Sequence, residues 1–159
     1  MRHFLPHLIL DNEYQVVLYF IITYVLYLRC GRKPRLKHEI IIYTDARGRA
    51  PLREFLKELK SQKGDDSRIR IGKIQDYISL LHDKGTALPK PICKHFTDKK
   101  HSWLWELRPG GDRVLFFAWT GGAFVLLHAF RKQSQKTPDA ELRKAEREYK
   151  DWIERNGSL

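Results

Sequence analysis

Four side chains that could handle a phosphate group and a proton lie on consecutive strand-like segments of the sequence: Glu106, Arg108, Arg113 and His128. Two neighbouring arginines repel each other unless they share an anion, and guanidinium groups bind phosphate oxygens through paired hydrogen bonds. A carboxylate or an imidazole beside a bound phosphate could move a proton. These residue types therefore favour phosphate chemistry, provided that the fold brings them together.

Basic and aromatic residues surround these four positions. The additional cationic or ionisable side chains are Lys94, His95, Arg131, Lys132 and Lys136. Three aromatic residues between them could stack on unpaired bases, as recognition of single-stranded RNA commonly requires: Phe96, Trp119 and Phe130. The combination predicts an RNA-binding surface, whereas the plainer interpretation is a solvated charged face.

The strands that must position these groups are predicted from β-branched and aromatic runs at residues 38–44, 102–108, 113–119 and 123–130. Glycine-containing connections at residues 109–112 and 120–122 predict two hairpins between the last three strands. The predicted pairs are Arg108 with Arg113, Trp119 with Phe124, Leu115 with His128, and Arg113 with Phe130.

Directly opposed residues of an antiparallel pair point to the same side of the sheet. This pairing therefore places Glu106, Arg108, Arg113 and His128 on one face. The apolar residues expected on the other face are Trp103, Trp105, Leu107, Val114, Phe116, Val125 and Leu127. An alternative without chemistry stays open, in which Glu106 only bridges the arginines and His128 is a hydrogen-bonded core residue.

Helices are predicted on both sides of this sheet region in the sequence. Pro51 opens the first helix and residues 65–83 form the second, with apolar stripes at Leu52, Phe55, Leu56, Leu59, Ile71, Ile74, Ile78 and Leu81. Residues 85–100 contain two prolines and are predicted to be a loop. A third helix begins at Thr137–Pro138, with Thr137 as capping hydroxyl and a stripe of Leu142, Ala145, Tyr149 and Trp152. The predicted fold is α+β, in the order β-α-α-β-β-β-α with an antiparallel meander.

Composition supports a nucleic-acid partner over other classes. The 159 residues carry a net charge of +11 with a pI near 9.8, which attracts polyanions. An acidic protein partner is the alternative. Cys30 and Cys93 have no zinc-ligand spacing, and no carboxylate cluster suits Mg²⁺, so neither a structural zinc site nor a metal cofactor is indicated. The cysteine content fits a reducing cytoplasm.

Residues 1–35 are predicted to be separate from the folded domain at residues 36–159. Their apolar run at residues 16–28 is short for a bilayer span and is followed by basic residues, so no stable membrane insertion is expected. Three interpretations remain for this extension: a weak anchor, an extra element packed on the domain, or a stretch that is not translated in the cell. We favour the third because the strand and helix pattern begins abruptly at Leu36.

Four short motifs in sequence order carry a family resemblance. They are residues 104–108 (LWELR), 112–117 (DRVLFF), 126–133 (LLHAFRKQ) and 136–138 (KTP). Together they resemble the phage-derived Gp49-like branch of the RelE/HigB toxins, and the likeness extends more loosely over residues 36–159. Arg131 stands where that family more often has lysine, which keeps the charge.

The resemblance implies the toxin of a type II toxin–antitoxin pair, which cleaves mRNA on ribosomes and is silenced by a helix-turn-helix antitoxin. It implies that Arg108 and Arg113 hold the scissile phosphate and that Glu106 or His128 transfers the proton. Lys132 and Lys136 are then expected to contact the backbone and to stabilise the transition-state charge, with Lys132 among the catalytic residues. The RNA 2′-hydroxyl is then the nucleophile, and no cofactor is required. Alternatives are a ParE-like toxin that inhibits gyrase and a basic RNA-binding module without catalysis.

Overall fold

A computed structural model of the chain describes residues 38–62, 64–134 and 136–157. These residues form an α+β fold, as predicted. Its elements are β1 (Ile40–Ile42), α1 (Pro51–Ser61), α2 (Asp65–Lys84), β2 (Cys93–His95), β3 (Leu104–Leu107), β4 (Asp112–Ala118), β5 (Phe124–Arg131) and α3 (Asp139–Asn156). None of the helices in the described ranges is long and apolar enough to cross a membrane. The interpretations of residues 1–35 lie outside the described part of the chain.

The strands form one sheet in the order β1-β5-β4-β3-β2. Strands β2 to β5 pair antiparallel, but β1 runs parallel to β5, so the sheet is mixed and not the predicted antiparallel meander. The predicted element order also lacks β2. Cys93–His95 lies in the segment assigned to a loop, and its three residues are too few to display an alternating pattern.

The first two helices follow the predicted apolar stripes. Pro51 occupies the first turn of α1, where its missing N–H costs no hydrogen bond, and the helix buries Leu52 and Leu59. Helix α2 buries Ile74 and Leu81 and ends at Gly85, whose φ of 57° is readily adopted only by glycine. Both helices pack on the same face of the sheet.

Helix α3 covers the opposite face of the sheet. A bulge in β5 changes which residues of that strand face α3. The pairs Arg113 with Phe130 and Val114 with Ala129 are as predicted, but beyond them the register shifts and Ala118 pairs with Phe124. The predicted pair of Trp119 with Phe124 is therefore wrong. One extra residue on β5 causes the shift, because Leu127 and His128 together span the stretch opposite Leu115.

Three of the predicted face assignments are wrong: Val125 and Leu127 lie at or beyond the bulge in β5, and Trp103 lies in the turn before β3. Trp105, Leu107, Val114 and Phe116 pack toward α1 and α2, as expected. Val125, Leu127 and Trp103 instead pack in the cluster that includes α3. The face that holds the candidate phosphate ligands is thus apolar under α3 and polar toward the β3–β4 turn.

Candidate functional site

Glu106 is the centre of the polar part of this face. It lies in β3 with its side chain fully buried. Arg108 Nε donates a hydrogen bond to its Oε1 at 2.9 Å, and Arg113 Nε lies 3.4 Å from the same oxygen. A buried carboxylate without partners would be strongly unfavourable, so the two guanidinium groups compensate for the burial of Glu106.

The backbone of the β3–β4 turn fixes the second arginine. Arg113 Nη1 donates hydrogen bonds to the carbonyl oxygens of Gly110 at 2.8 Å and Asp112 at 2.6 Å. Its Nε is buried and has no hydrogen-bond partner among the described residues. Burial lowers the pKa of Arg113, and Glu106 opposes that effect. The guanidinium group is therefore held in place before any ligand arrives.

A surface cavity of about 510 Å³ opens beside Arg113 and is lined by Gly111, Arg113, Lys132, Gln133 and Ser134. Lys132 follows β5, and its backbone N–H donates to the carbonyl of Gly111 at 3.0 Å, which ties its loop to the β3–β4 turn. Burial lowers the pKa of Lys132, and the positive charge of Arg113 lowers it further. A lysine in this position releases its proton more readily than a solvated one.

Lys94 joins the same cluster from β2. It pairs with Glu106 across β2 and β3, so the two side chains point to the same side, and its Nζ lies 5.0 Å from the centre of the Phe96 ring. Lys94 and Arg108 also contribute to lowering the pKa of Lys132. The site thus brings four cations around one carboxylate, which favours a polyanion.

The arrangement can bind a phosphate through Arg113 and Arg108, and the neutral form of Lys132, whose pKa is lowered, can accept a proton. Two guanidinium groups and two ammonium groups could stabilise the extra negative charge that develops in phosphoryl transfer. Within the described ranges, no group of three or more His, Cys, Asp or Glu side chains is placed to hold a metal ion.

Thr137 has a role that the sequence did not predict. Helix α3 begins with Pro138 as its N-cap and has no side-chain cap, so the expected capping by Thr137 is wrong. The Thr137 hydroxyl instead donates to Glu106 Oε2 at 2.8 Å. This contact leaves both oxygens of Glu106 occupied and anchors the loop that carries Lys132.

His128 lies beneath α3 and is fully buried. Its Nδ1 is 2.6 Å from a carboxylate oxygen of Glu148, and its Nε2 is 3.0 Å from one of Glu141. Burial alone would lower the pKa of His128, but the hydrogen bonds to Glu141 and Glu148 outweigh it and the pKa is raised. Both ring nitrogens are therefore engaged in fastening α3 to the sheet.

The remaining predicted RNA-binding residues are dispersed. His95 lies on the opposite face, stacked on Trp105 at 4.2 Å between ring centres, and Phe130 is buried opposite Arg113. Arg131 is half exposed and 3.5 Å from Asp112. Lys136 is exposed in the loop before α3.

The aromatic rings that were expected to stack on bases are mostly occupied within the protein. Phe96 is buried, and Trp119 packs edge to face against Trp152 with ring centres 5.8 Å apart. Sequence reasoning missed Gln133 and Ser134 in the cavity lining, since neither residue type carries a signal for phosphate binding. The buried Cys93 thiol is also removed as a nucleophile, because burial raises its pKa to about 11.

Comparison with known proteins gives one family. No curated protein matches the chain. The family model of phage-derived Gp49-like proteins (DUF891) matches residues 54–150, which span α1 to most of α3 and include every member of the cluster around Glu106. The match covers more than half of the chain and confirms the resemblance carried by the four motifs. The chain therefore belongs to the Gp49-like family of phage-derived proteins, a branch of the RelE-like toxins.

Proposed function

We propose that this protein is the toxin of a type II toxin–antitoxin system and an endoribonuclease that cleaves mRNA without a metal ion. The observation that carries the proposal is the cluster of four cations, Lys94, Arg108, Arg113 and Lys132, around the buried Glu106 and beside an open cavity. Membership of the Gp49-like family supports the toxin assignment. The ribosome, where mRNA is exposed during translation, is the proposed place of action, and a helix-turn-helix antitoxin is the proposed inhibitor.

RNA supplies its own nucleophile in this mechanism. The 2′-hydroxyl loses its proton to a base and attacks the neighbouring phosphorus. The bond from phosphorus to the 5′-oxygen breaks, and that oxygen takes a proton from solvent water, which yields a 2′,3′-cyclic phosphate and a 5′-hydroxyl. The protein has to orient the phosphate, accept the first proton and stabilise the charge of the pentacoordinate transition state. Arg113 and Arg108 are the proposed ligands of the phosphate oxygens.

Lys132 is the proposed proton acceptor. Glu106 and His128 were the candidates from sequence, but both are fully buried and every one of their polar side-chain atoms is already bonded. Lys132 lines the cavity, and burial and the charge of Arg113 lower its pKa. A base works best when its pKa is close to the working pH. Glu106 then serves to hold Arg108 and Arg113, and His128 to hold α3.

Expression of residues 36–159 in bacteria tests this function. Growth arrest with cleaved mRNA, mapped by primer extension, is the expected result, and Arg113→Ala should strongly reduce both while the protein stays folded. Arrest with intact mRNA and inhibited DNA supercoiling would instead identify a ParE-like gyrase inhibitor. Normal growth with soluble protein present, or RNA binding without cleavage, would contradict the nuclease assignment.

A further inference from the structure

The turn between β3 and β4 carries a second group of cations that the proposed chemistry does not use. Lys73 of α2 lies against Gly110, with its Cδ 3.7 Å and its Nζ 3.9 Å from the position that a Cβ would occupy there. Arg131 lies against Gly111, and its Cζ is 2.8 Å from the corresponding Cβ position. Two basic side chains thus rest on two adjacent glycines at the tip of the hairpin.

The glycines make this arrangement possible. A side chain at Gly111 would displace the guanidinium group of Arg131 from its present position, because the Cβ would come within 3.0 Å of it. Gly110 has a φ of 64°, a conformation that other residues rarely adopt. Its carbonyl oxygen also accepts the hydrogen bond from Arg113, so a single residue separates Lys73 from the arginine of the phosphate site.

Arg131 retains hydrogen-bonding capacity even though an acidic side chain is nearby. Arg70 neutralises the buried Asp112 by donating to both of its carboxylate oxygens, at 2.9 and 2.7 Å. Arg131 lies farther away, at 3.5 Å, and its side chain is 49% exposed. Lys73 adds a second exposed positive charge. The tip therefore has an excess of positive charge and free donors facing solvent.

We propose that Lys73 and Arg131 form a second phosphate subsite, which binds the phosphate adjacent to the scissile one as the RNA strand crosses the Gly110–Gly111 turn. This inference rests on the proposed function, because it takes RNA as the ligand of the first site. The two glycines let Lys73 and Arg131 lie close against the turn. The two groups of cations on either side of the turn then hold successive phosphates. Arginine matches phosphate geometry and lysine supplies a point charge.

Binding of uncleavable 2′-O-methyl RNA to the full chain tests the subsite. Affinities of a dinucleotide and an octanucleotide are measured by fluorescence anisotropy at several salt concentrations. Lys73→Ala and Arg131→Gln should each weaken octanucleotide binding and reduce the slope of log affinity against log salt by about 0.7, the value for one phosphate contact on a single strand. Dinucleotide binding should be unchanged. Lys57→Ala, which removes an exposed lysine of α1, is the matched control.

Four further outcomes decide between these interpretations. Octanucleotide slopes for Lys73→Ala and Arg131→Gln that equal the slope of Lys57→Ala would overturn the subsite, as would equal losses for the dinucleotide and the octanucleotide. A wild-type protein that binds no RNA would overturn both the subsite and the proposed function. If the salt slopes of both variants are as expected but natural RNA is not cleaved in a parallel assay, the subsite is supported and only the proposed nuclease activity is contradicted.

Discussion

Replacement of Lys132 by arginine separates charge stabilisation from proton transfer at the candidate site. Arginine keeps the positive charge beside the cavity but stays protonated at any working pH, whereas burial and Arg113 lower the pKa of Lys132 from its ordinary value of 10.5. A general base typically contributes about 10²- to 10⁴-fold to the rate, or about 3 to 5 kcal/mol. Lys132→Arg should therefore cleave RNA about 10²- to 10⁴-fold more slowly and still bind it.

The pH dependence of cleavage follows from the same shift. The base must be neutral to accept the 2′-hydroxyl proton, so the wild-type rate should rise with pH up to the lowered pKa of Lys132 and then level off. Arg113 is the largest of the nearby charges that lower this pKa. In Arg113→Ala the levelling-off should therefore move to higher pH, in addition to the loss of rate.

Single-turnover cleavage between neutral pH and the onset of alkaline unfolding measures both effects. Affinity for 2′-O-methyl RNA is the control, because Lys132→Arg should leave it within a few-fold of wild type. A Lys132→Arg variant that cleaves at close to the wild-type rate, or that keeps the rise of rate with pH, would refute the assignment of Lys132 as the base.

Three other perturbations address the support of the site. Arg113→Ala should raise the activation free energy of cleavage by about 3 kcal/mol, roughly a hundredfold in rate. It should lower the free energy of unfolding by a smaller amount, because two hydrogen bonds to the backbone are lost. The control is Trp152→Ala, which destabilises only the packing of α3 and should keep its activity per folded molecule. Thr137→Val should leave Glu106 Oε2 unpaired, lower the free energy of unfolding by about 1 to 3 kcal/mol and slow cleavage, and Thr137→Ser should restore both in melting and rate measurements. The pKa of His128 is raised on folding, so protonated His128 stabilises the fold fully below the unfolded pKa of about 6.5, and this stability is lost as pH rises through the folded pKa. The melting temperature of the wild type should therefore fall across that range. A fall of the same size in Glu141→Gln would contradict the role of the contact between His128 and Glu141 in this pH dependence.

The contacts of Arg108 and Arg113 with Glu106 could be predicted because these residues lie on either side of one short hairpin. Leu107 pairs with Val114 in the register that the sequence predicts, and alternation along β3 and β4 then brings Glu106 and Arg113 to the same side. Lys132 follows because it comes directly after the strand that pairs with Arg113. Local register decides these contacts, and local register is visible in the sequence.

Features that depend on tertiary structure were harder to predict. The bulge at Leu127–His128 inserts one residue, and no glycine or proline in this stretch indicates its position in the sequence. It moves Val125 and Leu127 to the sheet face opposite to the predicted one. The partners of His128 lie 13 and 20 positions away on α3, where periodicity cannot specify an ion pair. A threonine directly before a helix is typical of a cap, and only its proximity to β3 shows that Thr137 binds Glu106 instead.

The chemical form of the new RNA ends distinguishes attack by the 2′-hydroxyl from metal-dependent hydrolysis. Purified protein is incubated with ribosome-bound mRNA, and the new RNA ends are analysed. In parallel, it is incubated with free RNA in the presence of excess EDTA. A third substrate carries a 2′-deoxy substitution at the mapped cleavage position. We expect 2′,3′-cyclic phosphate and 5′-hydroxyl ends, undiminished cleavage of susceptible free RNA in the presence of EDTA, and no cleavage at the 2′-deoxy position. Ends with a 5′-phosphate, abolished by EDTA and formed equally at the 2′-deoxy position, would contradict it.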